Sequence, residues 1–371
     1  VYRKIKVIDP TKNYTTSGEY ADGMQSFSLN AESLKGANQV IDNYLNEMNA
    51  ISNTAYQNFQ IGTYQINPTA DVDVEVFGFG HGLTEKITFY FGVPFYQATI
   101  NTKFKRVAGN NYNDIAEIIG DGNDHILNHL TAGLPDISEG VIQTILTQHY
   151  GVSPMGTWSG QGIGDIELGV MQRIYEGSSS GLLIKYGGVI PTGRVDDPDI
   201  LQDIAFGDGQ IDAFFEIGGG VKLLSNLVGF SNIFRYTYQA PGEKYFRIPD
   251  KNGLTLSNNK KLVNFKLGDK LNYISKLNLN INDYFQIETS YIYNHLKKSS
   301  LSLDESEEVI LNNTSSSQSI EIKAKLTSVK SYLSGKTFIP PMDISASFLK
   351  TIAGENTVDL SRGSLEMSIY F

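Results

Sequence analysis

The clearest pattern in the chain is an alternation of apolar and polar residues that repeats from segment to segment. Three such segments lie between Gly160 and Leu224, and the third places Ile211, Ala213, Phe215, Ile217, Val221 and Leu223 opposite Gln210, Asp212, Glu216 and Lys222. Successive side chains of a strand point to opposite faces, so each segment has one apolar face and one charged face. Short junctions such as EGSSS alternate with long ones such as the acidic stretch 192–209. This arrangement predicts an all-β fold, an antiparallel up-and-down β-barrel that crosses a membrane.

The alternation continues on both sides of these segments. The clearest single strand has Ile87, Phe89, Phe91, Val93 and Phe95 on one face, and the last has Leu365, Met367, Ile369 and Phe371. A terminal strand that ends in an aromatic residue resembles the sorting signal of bacterial outer-membrane barrels. The alternating segments number about twelve, or about fourteen if residues 56–80 form two strands, and closure of a barrel with both termini on one side needs an even count.

Three short motifs lie at the ends of the alternating segments. They are GxGD-x-x-LG (Gly162, Gly164, Asp165, Leu168 and Gly169), an apolar-Pro-Thr-Gly motif (Ile190, Pro191, Thr192 and Gly193) and GDGQ (Gly207 to Gln210). With these motifs, the stretch from Asp71 to Leu224 resembles the outer-membrane family named after the meta-pathway of phenol degradation, which is similar to the FadL-like channels for hydrophobic substrates. The resemblance implies a channel in the outer membrane of a Gram-negative bacterium, with a small apolar or aromatic solute.

Composition agrees with a barrel and excludes several other classes of protein. The 371 residues contain no run of roughly 20 apolar residues, the length that a membrane helix needs. The 21 Tyr, 19 Phe and 36 Gly are typical of the aromatic girdles and tight turns of membrane barrels. A net charge of −10 argues against nucleic acid as a partner, and the absence of cysteine excludes thiolate metal sites. We find no nucleophile or phosphate-binding motif, so the sequence predicts neither an enzyme nor a cofactor.

The pattern predicts one large barrel domain over 24–371, preceded by a polar tail over 1–23. The tail is expected on the periplasmic side. Because Val1 is not a start methionine and no signal-peptide pattern is present, we expect the chain to be a mature form. Two segments with helical spacing, 31–52 and 105–157, are expected as insertions in the barrel.

The first helical insertion carries an amphipathic stripe that must be buried against another surface. Its candidate gate residues, at helical spacing, are Leu34, Val40, Ile41, Leu45 and Met48. The stripe either packs on neighbouring extracellular loops or closes the mouth of the barrel as a gate. The insertion 105–157 is a second candidate gate, because loops of this length usually have a function.

The polar face of each predicted strand should point into the lumen, since the apolar face is expected to meet lipid. By this parity the candidate lumen-lining residues are Asp71, Asp73, Glu75, Asp165, Glu167, Arg173, Lys185, Asp212, Glu216, Arg235, Lys266, Lys270, Lys276, Glu288, Lys323 and Lys325. The acidic residues come mainly from early strands and the basic ones from later strands, so one wall is expected to be acidic and the facing wall basic. The charges either pair with each other in a filled interior or line water and orient polar or zwitterionic solutes.

Two groups of residues are weak candidates for a metal site, and we predict no metal at either. Asp196, Asp197 and Asp199 lie in the long acidic stretch, but their spacing is not that of a calcium loop. His125 and His129 are four residues apart on a predicted helix, with no third ligand at helical spacing. A solvated acidic loop and packed surface histidines are the ordinary explanations.

The leading hypothesis is a channel for passive uptake of small molecules, gated by the helical insertions. Its partners would be outer-membrane lipid, lipopolysaccharide and a small-molecule solute, with a second copy of the chain or another protein as a further partner. The alternative is a barrel that serves in secretion or as a structural docking partner, with a plugged or sealed lumen. A soluble β-rich protein, with its aromatic faces buried between two sheets, is the third option. An uptake channel needs a lumen with a pocket, whereas a docking barrel is filled by paired charges or packed side chains.

Overall fold

The computed structural model describes residues 1–8, 12–22, 25–36, 39–133, 139–248, 257–304, 307–311 and 313–371. Its strands are β1 (Tyr2–Ile8), β2 (Lys12–Tyr14), β3 (Tyr20–Asp22), β4 (Gln25–Asn30), β5 (Gln60–Gly82), β6 (Ile87–Ala108), β7 (Thr157–Ile163), β8 (Ile166–Glu176), β9 (Ser180–Ile190), β10 (Asp212–Leu223), β11 (Val228–Gln239), β12 (Gly242–Arg247), β13 (Lys260–Lys266), β14 (Lys270–Asn280), β15 (Phe285–Leu296), β16 (Ser299–Asp304), β17 (Glu307–Leu311), β18 (Ser315–Thr327), β19 (Met342–Glu355), β20 (Thr357–Val358) and β21 (Ser361–Ile369). Its α-helices are α1 (Ala31–Leu34), α2 (Gln39–Ile51), α3 (Asn53–Asn58), α4 (Tyr112–Ile119), α5 (Asp124–Gly133), α6 (Glu139–Thr144) and α7 (Val329–Leu333).

Twelve of the strands close into one antiparallel barrel. In order around the ring they are β1, β5, β6, β8, β9, β10, β11, β14, β15, β18, β19 and β21, and β21 pairs with β1. Two additional strands, β4 and β7, pair with extensions of β5 and β6. The weak strand predicted at 24–30 corresponds to β4, although residue 24 lies outside the described residues. The predicted antiparallel barrel of about twelve strands is confirmed.

The first strand of the ring lies within the segment that was expected to be a periplasmic tail. It pairs with β21 on one side and with β5 on the other, so the prediction of a tail over 1–23 is wrong where β1 forms. Lys4 Nζ lies 3.6 Å from Glu75, which neutralises one outward charge of the strand. Lys6 Nζ lies 3.2 Å from Asp71 and neutralises a second. The basic segment is therefore compatible with a strand because β5 supplies acidic partners.

The connections between barrel strands differ in length at the two ends. The junctions 83–86, 177–179, 224–227 and 281–284 are short turns, and the connection 328–341 at the same end is longer and contains α7. The other end carries the loops L1 (9–59), L2 (109–165, with β7), L3 (191–211), L4 (240–269), L5 (297–314) and L6 (356–360). Short periplasmic turns and long extracellular loops are the rule for outer-membrane barrels, and they orient this one.

An apolar belt covers the outside of the barrel. Its large and exposed hydrophobic side chains include Phe77, Phe79, Phe215, Ile217, Phe230, Phe234, Leu277, Ile322, Phe348 and Leu365. Water disfavours so much contiguous apolar surface, whereas the hydrocarbon core of a bilayer accommodates it. No helix in the described part of the chain is long and apolar enough to cross a membrane. The belt therefore marks the zone in which the strands span the bilayer.

The helical insertions form one packed unit at the extracellular end. Helices α1 to α6, here called the helical cluster, share a hydrophobic core with residues of β5 and β6. Leu45, Met48, Ile115 and Leu130 are almost completely buried in this core. Helices this short are marginal alone, so the packing of their apolar faces against each other holds them in place.

Replacing Met48 by alanine is expected to loosen the helical cluster while leaving the barrel intact. Met48 has no exposed surface, and shortening a buried side chain of this size costs about 2–5 kcal/mol. Hydrogen exchange should accelerate for the amides of 39–58 and stay unchanged for those of β14 and β15. Val40, on the same helix but 61% exposed, is the matched control, because Val40→Ala should change neither. An equal acceleration of hydrogen exchange in the helical cluster and in the barrel would show that they unfold as one unit.

Candidate functional site

A chamber of about 730 Å³ with both polar and apolar walls lies in the lumen at the extracellular half of the barrel. Strands on opposite sides of the ring and the loops L3 and L6 contribute its walls. Its polar lining residues include Asp165, Asp208, Asp212, Glu216, Arg235, Lys270, Asn272, Asn294, Ser319, Thr351 and Arg362. Its apolar and aromatic lining residues include Pro94, Tyr96, Val189, Phe206, Ile233, Ile274, Ile292, Leu349, Val358 and Leu360. A cavity of this size with polar groups in its wall accommodates water and is large enough for a small molecule.

The three sequence motifs meet at the mouth of the chamber, where they anchor L3 to the wall. Asp165 accepts hydrogen bonds from the backbone N–H groups of Gly193, at 2.9 Å, and of Asp208, at 3.1 Å. Position 207 requires glycine because a Cβ on Gly207 would collide with the Asp165 carboxylate. The motifs therefore encode the close approach of L3 to the end of β7, which is a structural role.

Aromatic rings carried by L3 and by the strands beside it pack together where the chamber meets the extracellular loops. Phe206 stacks on Tyr96, with the ring centroids 5.2 Å apart and an angle of 7° between the planes. The guanidinium of Arg194 lies 5.0 Å from the ring of Trp158 and 5.5 Å from that of Phe206. Asp203 fixes this guanidinium from the other side, with Nη2 at 2.5 Å from a carboxylate oxygen. L3 thus forms a packed wall at the extracellular side of the chamber.

A belt of ion pairs lines the wall made by β8 to β11. Arg235 Nη2 lies 2.8 Å from Glu167, whose other oxygen accepts a hydrogen bond from the Tyr90 hydroxyl at 3.0 Å. Lys185 Nζ lies 3.1 Å from Glu216. The expected division into an acidic wall and a facing basic wall does not hold for this belt, because cations and anions from the same part of the ring pair with each other. The pairing satisfies charges that would be costly to leave alone in the lumen.

Three carboxylates beside the L3 anchor are less fully neutralised. These residues, Asp165, Asp208 and Asp212, are here called the acidic group. Lys270 Nζ lies 3.7 Å from both Asp208 and Asp212, and Gln239 Nε2 donates to Asp208 at 3.0 Å. One ammonium therefore lies within ion-pair distance of two of the three carboxylates, and within the described residues no second cation lies within that distance of any of them. This part of the chamber wall keeps a negative charge.

The periplasmic half of the lumen carries further charges that do not reach the chamber. Lys276 Nζ lies 3.2 Å from Glu288, and Lys325 Nζ lies 3.6 Å from Asp343. Lys323 stands opposite Glu288 in the strand register and so shares its inward face. The lumen below the chamber is thus also polar.

The structure reverses the predicted face of β5. The three acidic residues Asp71, Asp73 and Glu75, which the parity rule assigned to the lumen, lie on the outer face. Val74 is buried and stands opposite Tyr96, a chamber residue, whereas Glu75 stands opposite the exposed Phe95. Lysines of β1 pair with two of these acids, Asp71 and Glu75, which favours their place on the outer face. The pattern of β5 alone gives no sign of those partners.

Two other predicted lumen residues lie at the rims of the barrel. Lys266 ends β13, which belongs to a separate four-stranded sheet formed by L4 and L5, and its Nζ lies 4.8 Å from the ring of Tyr238. The chain turns at Gly268, where a Cβ would collide with the backbone of L5, so β13 and β14 are not one strand. Arg173 lies at the periplasmic rim, with Nη1 at 2.5 Å from Glu176.

The residues predicted to form a gate lie in the helical cluster. Leu34, Ile41, Leu45 and Met48 are buried in its core, and Val40 is exposed. No described residue of this helical segment lines the chamber. Packing on neighbouring loops, the first of the two alternatives for this insertion, describes its position. The loops L3 and L6 do line the chamber, and the sequence did not indicate either of them as a gate.

The acidic residues of L3 that were weak metal candidates contact basic side chains. Asp196 Oδ1 lies 2.8 Å from Lys244 Nζ, and Asp199 Oδ1 lies 2.5 Å from Arg247 Nη2. Asp197 accepts a hydrogen bond from the backbone N–H of Asp199 at 2.9 Å. Among the described residues, no group of three or more His, Cys, Asp or Glu side chains is placed to hold a metal ion.

The two histidines of α5 have partners of their own in the helical cluster. His125 Nε2 lies 2.8 Å from Glu47. His129 Nδ1 lies 2.7 Å from the carbonyl oxygen of His125, and its ring stacks on Tyr44 with centroids 4.5 Å apart. These contacts link α5 to α2, so the pair serves the packing of the cluster.

Acidification is expected to loosen the contact between L3 and L4. The hydrogen bond from Lys260, 2.7 Å away, and the charge of Arg247 hold the pKa of Asp199 below its ordinary value of about 3.9. A lowered pKa in the folded state contributes stability that is present above the unfolded pKa and is lost as pH falls through the folded pKa. The fluorescence of Trp158, the one tryptophan of the chain, should therefore shift below pH about 4.

Two variants separate this contact from general acid unfolding. Asp199→Asn should shift the Trp158 fluorescence already at neutral pH, because a neutral amide cannot pair with two cations. Asp283→Asn removes another carboxylate of lowered pKa, paired with Lys330 at the periplasmic end, and should leave the fluorescence unchanged. Equal effects of the two variants would contradict the assignment.

The sequence analysis missed one charged residue of the chamber. Arg362 lies on the lumen face of β21 and lines the chamber, together with L6. The signal was present, because Arg362 shares the parity of Glu366 and Ser368 and opposes that of Leu365 and Met367. The alternation therefore predicts an inward Arg362 once the last strand is extended by four residues.

Solved structures that match this chain include channels and a transporter. The crystal structure of the COG4313 outer membrane channel from Pseudomonas putida F1 matches with a TM-score of 0.56 at 8% identity, covering 100% of this chain and 94% of that one. The monoaromatic hydrocarbon channel CymD matches with a TM-score of 0.38 at 9% identity, over 100% and 87% of the two chains. The toluene transporter TbuX from Ralstonia pickettii gives 0.35 at 9% identity, over 100% and 90%.

The likeness to the first of these structures establishes the fold. No family model matches the sequence, and no curated protein matches it. The predicted outer-membrane channel barrel is confirmed as an architecture, and the exposed apolar belt agrees with the predicted place in a bacterial outer membrane. What passes through the barrel depends on the chamber described above.

Proposed function

We propose that this barrel is a channel through which small polar solutes cross the outer membrane by passive diffusion. The observation that carries the proposal is the chamber of about 730 Å³ in the lumen, lined by carboxylates, cations and amides together with aliphatic and aromatic side chains. Walls of this kind offer a solute hydrogen bonds in place of those it gives up to water, so its passage needs no energy source.

The mixed lining of the chamber suits a solute with polar and apolar parts better than a wholly apolar one. A hydrocarbon would displace water from Asp212, Arg235 and Lys270 and return no hydrogen bonds to them. An aromatic ring still finds a stacking surface at Phe206 and Tyr96. Solutes that combine a ring with polar groups therefore fit, which retains part of the aromatic class implied by the family resemblance.

In this proposal L3 sets the size limit of the channel. Phe206 and Asp208 belong to L3 and line the chamber, while the helical cluster stands outside it. The loop is held by hydrogen bonds and one stacked pair of rings, so it has a folded position from which it can be released. The cluster then serves the extracellular surface of the protein.

The alternative function, a docking barrel with a sealed lumen, draws on the ion-pair belt. The pair of Arg235 with Glu167 joins the two edges of the wall, and the pair of Lys185 with Glu216 joins its two central strands. The helical cluster and the sheet of L4 and L5 also give the extracellular end a broad surface. A sealed barrel differs from a channel in one measurable property, the passage of solutes.

Swelling of proteoliposomes distinguishes the two functions. Vesicles containing the barrel should swell in glycerol and more slowly in arabinose, with a steep decline towards larger sugars. Vesicles prepared with protein that was unfolded before reconstitution are the control for leakage. Swelling no faster than this control in every solute would reject the channel and support the docking barrel.

A further inference from the structure

We propose that the chamber selects zwitterionic solutes, with a carboxylate bound at Arg362 and an ammonium at the acidic group on the facing wall. The inference rests on the proposed channel function and assigns a solute class to it. It follows from three observations: an unpaired cation, an excess of carboxylates, and their positions on the ring.

Arg362 is a cation whose neighbours cannot neutralise it. Its direct partners in the strand register are Leu349 on β19 and Val7 on β1, and neither offers an acceptor. The guanidinium makes no ion pair or hydrogen bond to any described residue, and its Nε is buried without an acceptor. A guanidinium presents a planar fork of donors that matches a carboxylate, so this group is suited to a carboxylate that arrives in the lumen.

The nearest carboxylate on the same wall is already engaged. Glu321 lies two strands away from Arg362 and accepts a hydrogen bond from Ser347 at 2.9 Å. Arg3 Nη2 lies 3.7 Å from the same Glu321 oxygen. Arg3 Nε also lies 3.9 Å from Glu366, so Arg3 engages both of these carboxylates, while Arg362 has no carboxylate within ion-pair distance among the described residues.

The acidic group lies across the lumen from Arg362. β21, which carries Arg362, and β10, which carries Asp212, are six strands apart in either direction around the twelve-stranded ring. Strands so placed face each other across the barrel, and both residues line the same chamber. The acidic group has three carboxylates and the single cation Lys270, so its charge is opposite to that of Arg362.

A solute with both charges matches this arrangement better than a solute with one. A solute with only a carboxylate would be attracted to Arg362 but repelled by the acidic group. A solute with only an ammonium would be attracted to the acidic group but repelled by Arg362. A zwitterion that spans the chamber places each charge beside its opposite. Between the two poles, Asn272, Asn294 and Thr351 offer hydrogen bonds along the way.

Uptake of three probes of equal chain length into proteoliposomes tests the proposal: 4-aminobutyrate, 4-hydroxybutyrate and 4-hydroxybutanamide, which are zwitterionic, anionic and neutral. The wild-type barrel should take up the zwitterion about fivefold faster than the neutral probe, the combined gain of two weak ion pairs in a hydrated site. Arg362→Gln should reduce this ratio towards one, and Arg362→Lys should keep most of it. Asp212→Asn should slow the zwitterion and speed the anion.

Lys323→Gln is the matched control, because it removes a lumen cation that does not line the chamber. It should leave the ratio unchanged. Equal losses in the Arg362 and Lys323 variants would overturn the site in favour of a general field of the lumen. If the wild-type barrel takes up the neutral probe as fast as the zwitterion, the zwitterion site is overturned but the channel function is not. Uptake of no probe at all would instead reject the channel itself.

Discussion

Replacing Asp165 by alanine is expected to raise the single-channel conductance several-fold, because the substitution releases L3 from the mouth of the barrel. Asp165 is the acceptor for backbone N–H groups of Gly193 and Asp208, one at each end of the loop. Hydrogen bonds to a charged group contribute about 1.5–3 kcal/mol each, and donors left buried without a partner add a further penalty. Without this anchor the loop loses its packed position, and the passage beside Phe206 widens. Recordings in planar bilayers measure the change directly.

Two further variants test whether the anchor is the cause of the change. Asp165→Asn keeps one carbonyl acceptor and should give an intermediate conductance. Asp71→Ala removes a carboxylate from the outer face of the barrel and should leave the conductance unchanged. Trp158 lies beside Arg194 and Phe206, so its fluorescence reports whether the loop has moved. A shifted fluorescence with unchanged conductance would mean that L3 does not limit the current.

Placing an arginine at Leu277 is expected to lower the free energy of unfolding in lipid vesicles by about 2 kcal/mol, since a charge on the lipid face costs about 2–4 kcal/mol near the bilayer midplane. Leu277 is 45% exposed within the apolar belt. The next residue of β14, Asn278, faces the lumen opposite Glu288, where a new cation finds water and a carboxylate. Asn278→Arg should therefore change the unfolding free energy little.

Urea titration of the barrel in vesicles, followed by fluorescence, measures both variants. The pair is matched because the same side chain is introduced at neighbouring positions on opposite faces. Equal destabilisation by both substitutions would contradict the assignment of the faces of β14. A larger cost at Asn278 would reverse the assignment.

The strands that the sequence predicted correctly are those whose outer face is continuously apolar. In β10, Phe215 and Ile217 point to lipid while Asp212 and Glu216 point inward, and a single period of two is sufficient to show it. The bilayer imposes this pattern directly, because every lipid-facing position has the same surroundings. The alternation therefore predicts the two faces of a strand correctly wherever its outer face contacts lipid.

The strands that were missed or reversed are those whose outer face is charged. β1 was taken for a tail because Lys4 and Lys6 point outward, and β5 was reversed because its outward residues are acidic. Their mutual ion pairs join residues about 70 positions apart in the chain, Lys4 with Glu75 and Lys6 with Asp71. A pattern within one strand carries no information on such a partner.

The site was predicted in part, for similar physical reasons. Glu167, Lys185, Glu216 and Arg235 were placed in the lumen by parity, but their pairing with each other depends on the curvature of the wall. The motif residues around Asp165 indicated tight turns at the ends of the strands. The sequence did not show that L3 folds inward and lines the chamber. A loop that folds against the inner wall is fixed by contacts between distant segments, such as Phe206 with Tyr96.

The most direct test of the account is the single-channel conductance of three forms of the barrel: the full chain, a form with 31–58 replaced by a Gly-Ser linker, and a form with 195–205 of L3 shortened. The account predicts a small conductance for the full chain, no significant change without the helical segment, and a clear increase when L3 is shortened. An increase in conductance on removal of the helical segment alone would show that the helical cluster, and not L3, limits the current. No conductance in any of the three forms would contradict the central claim that the lumen is an open polar chamber limited by L3.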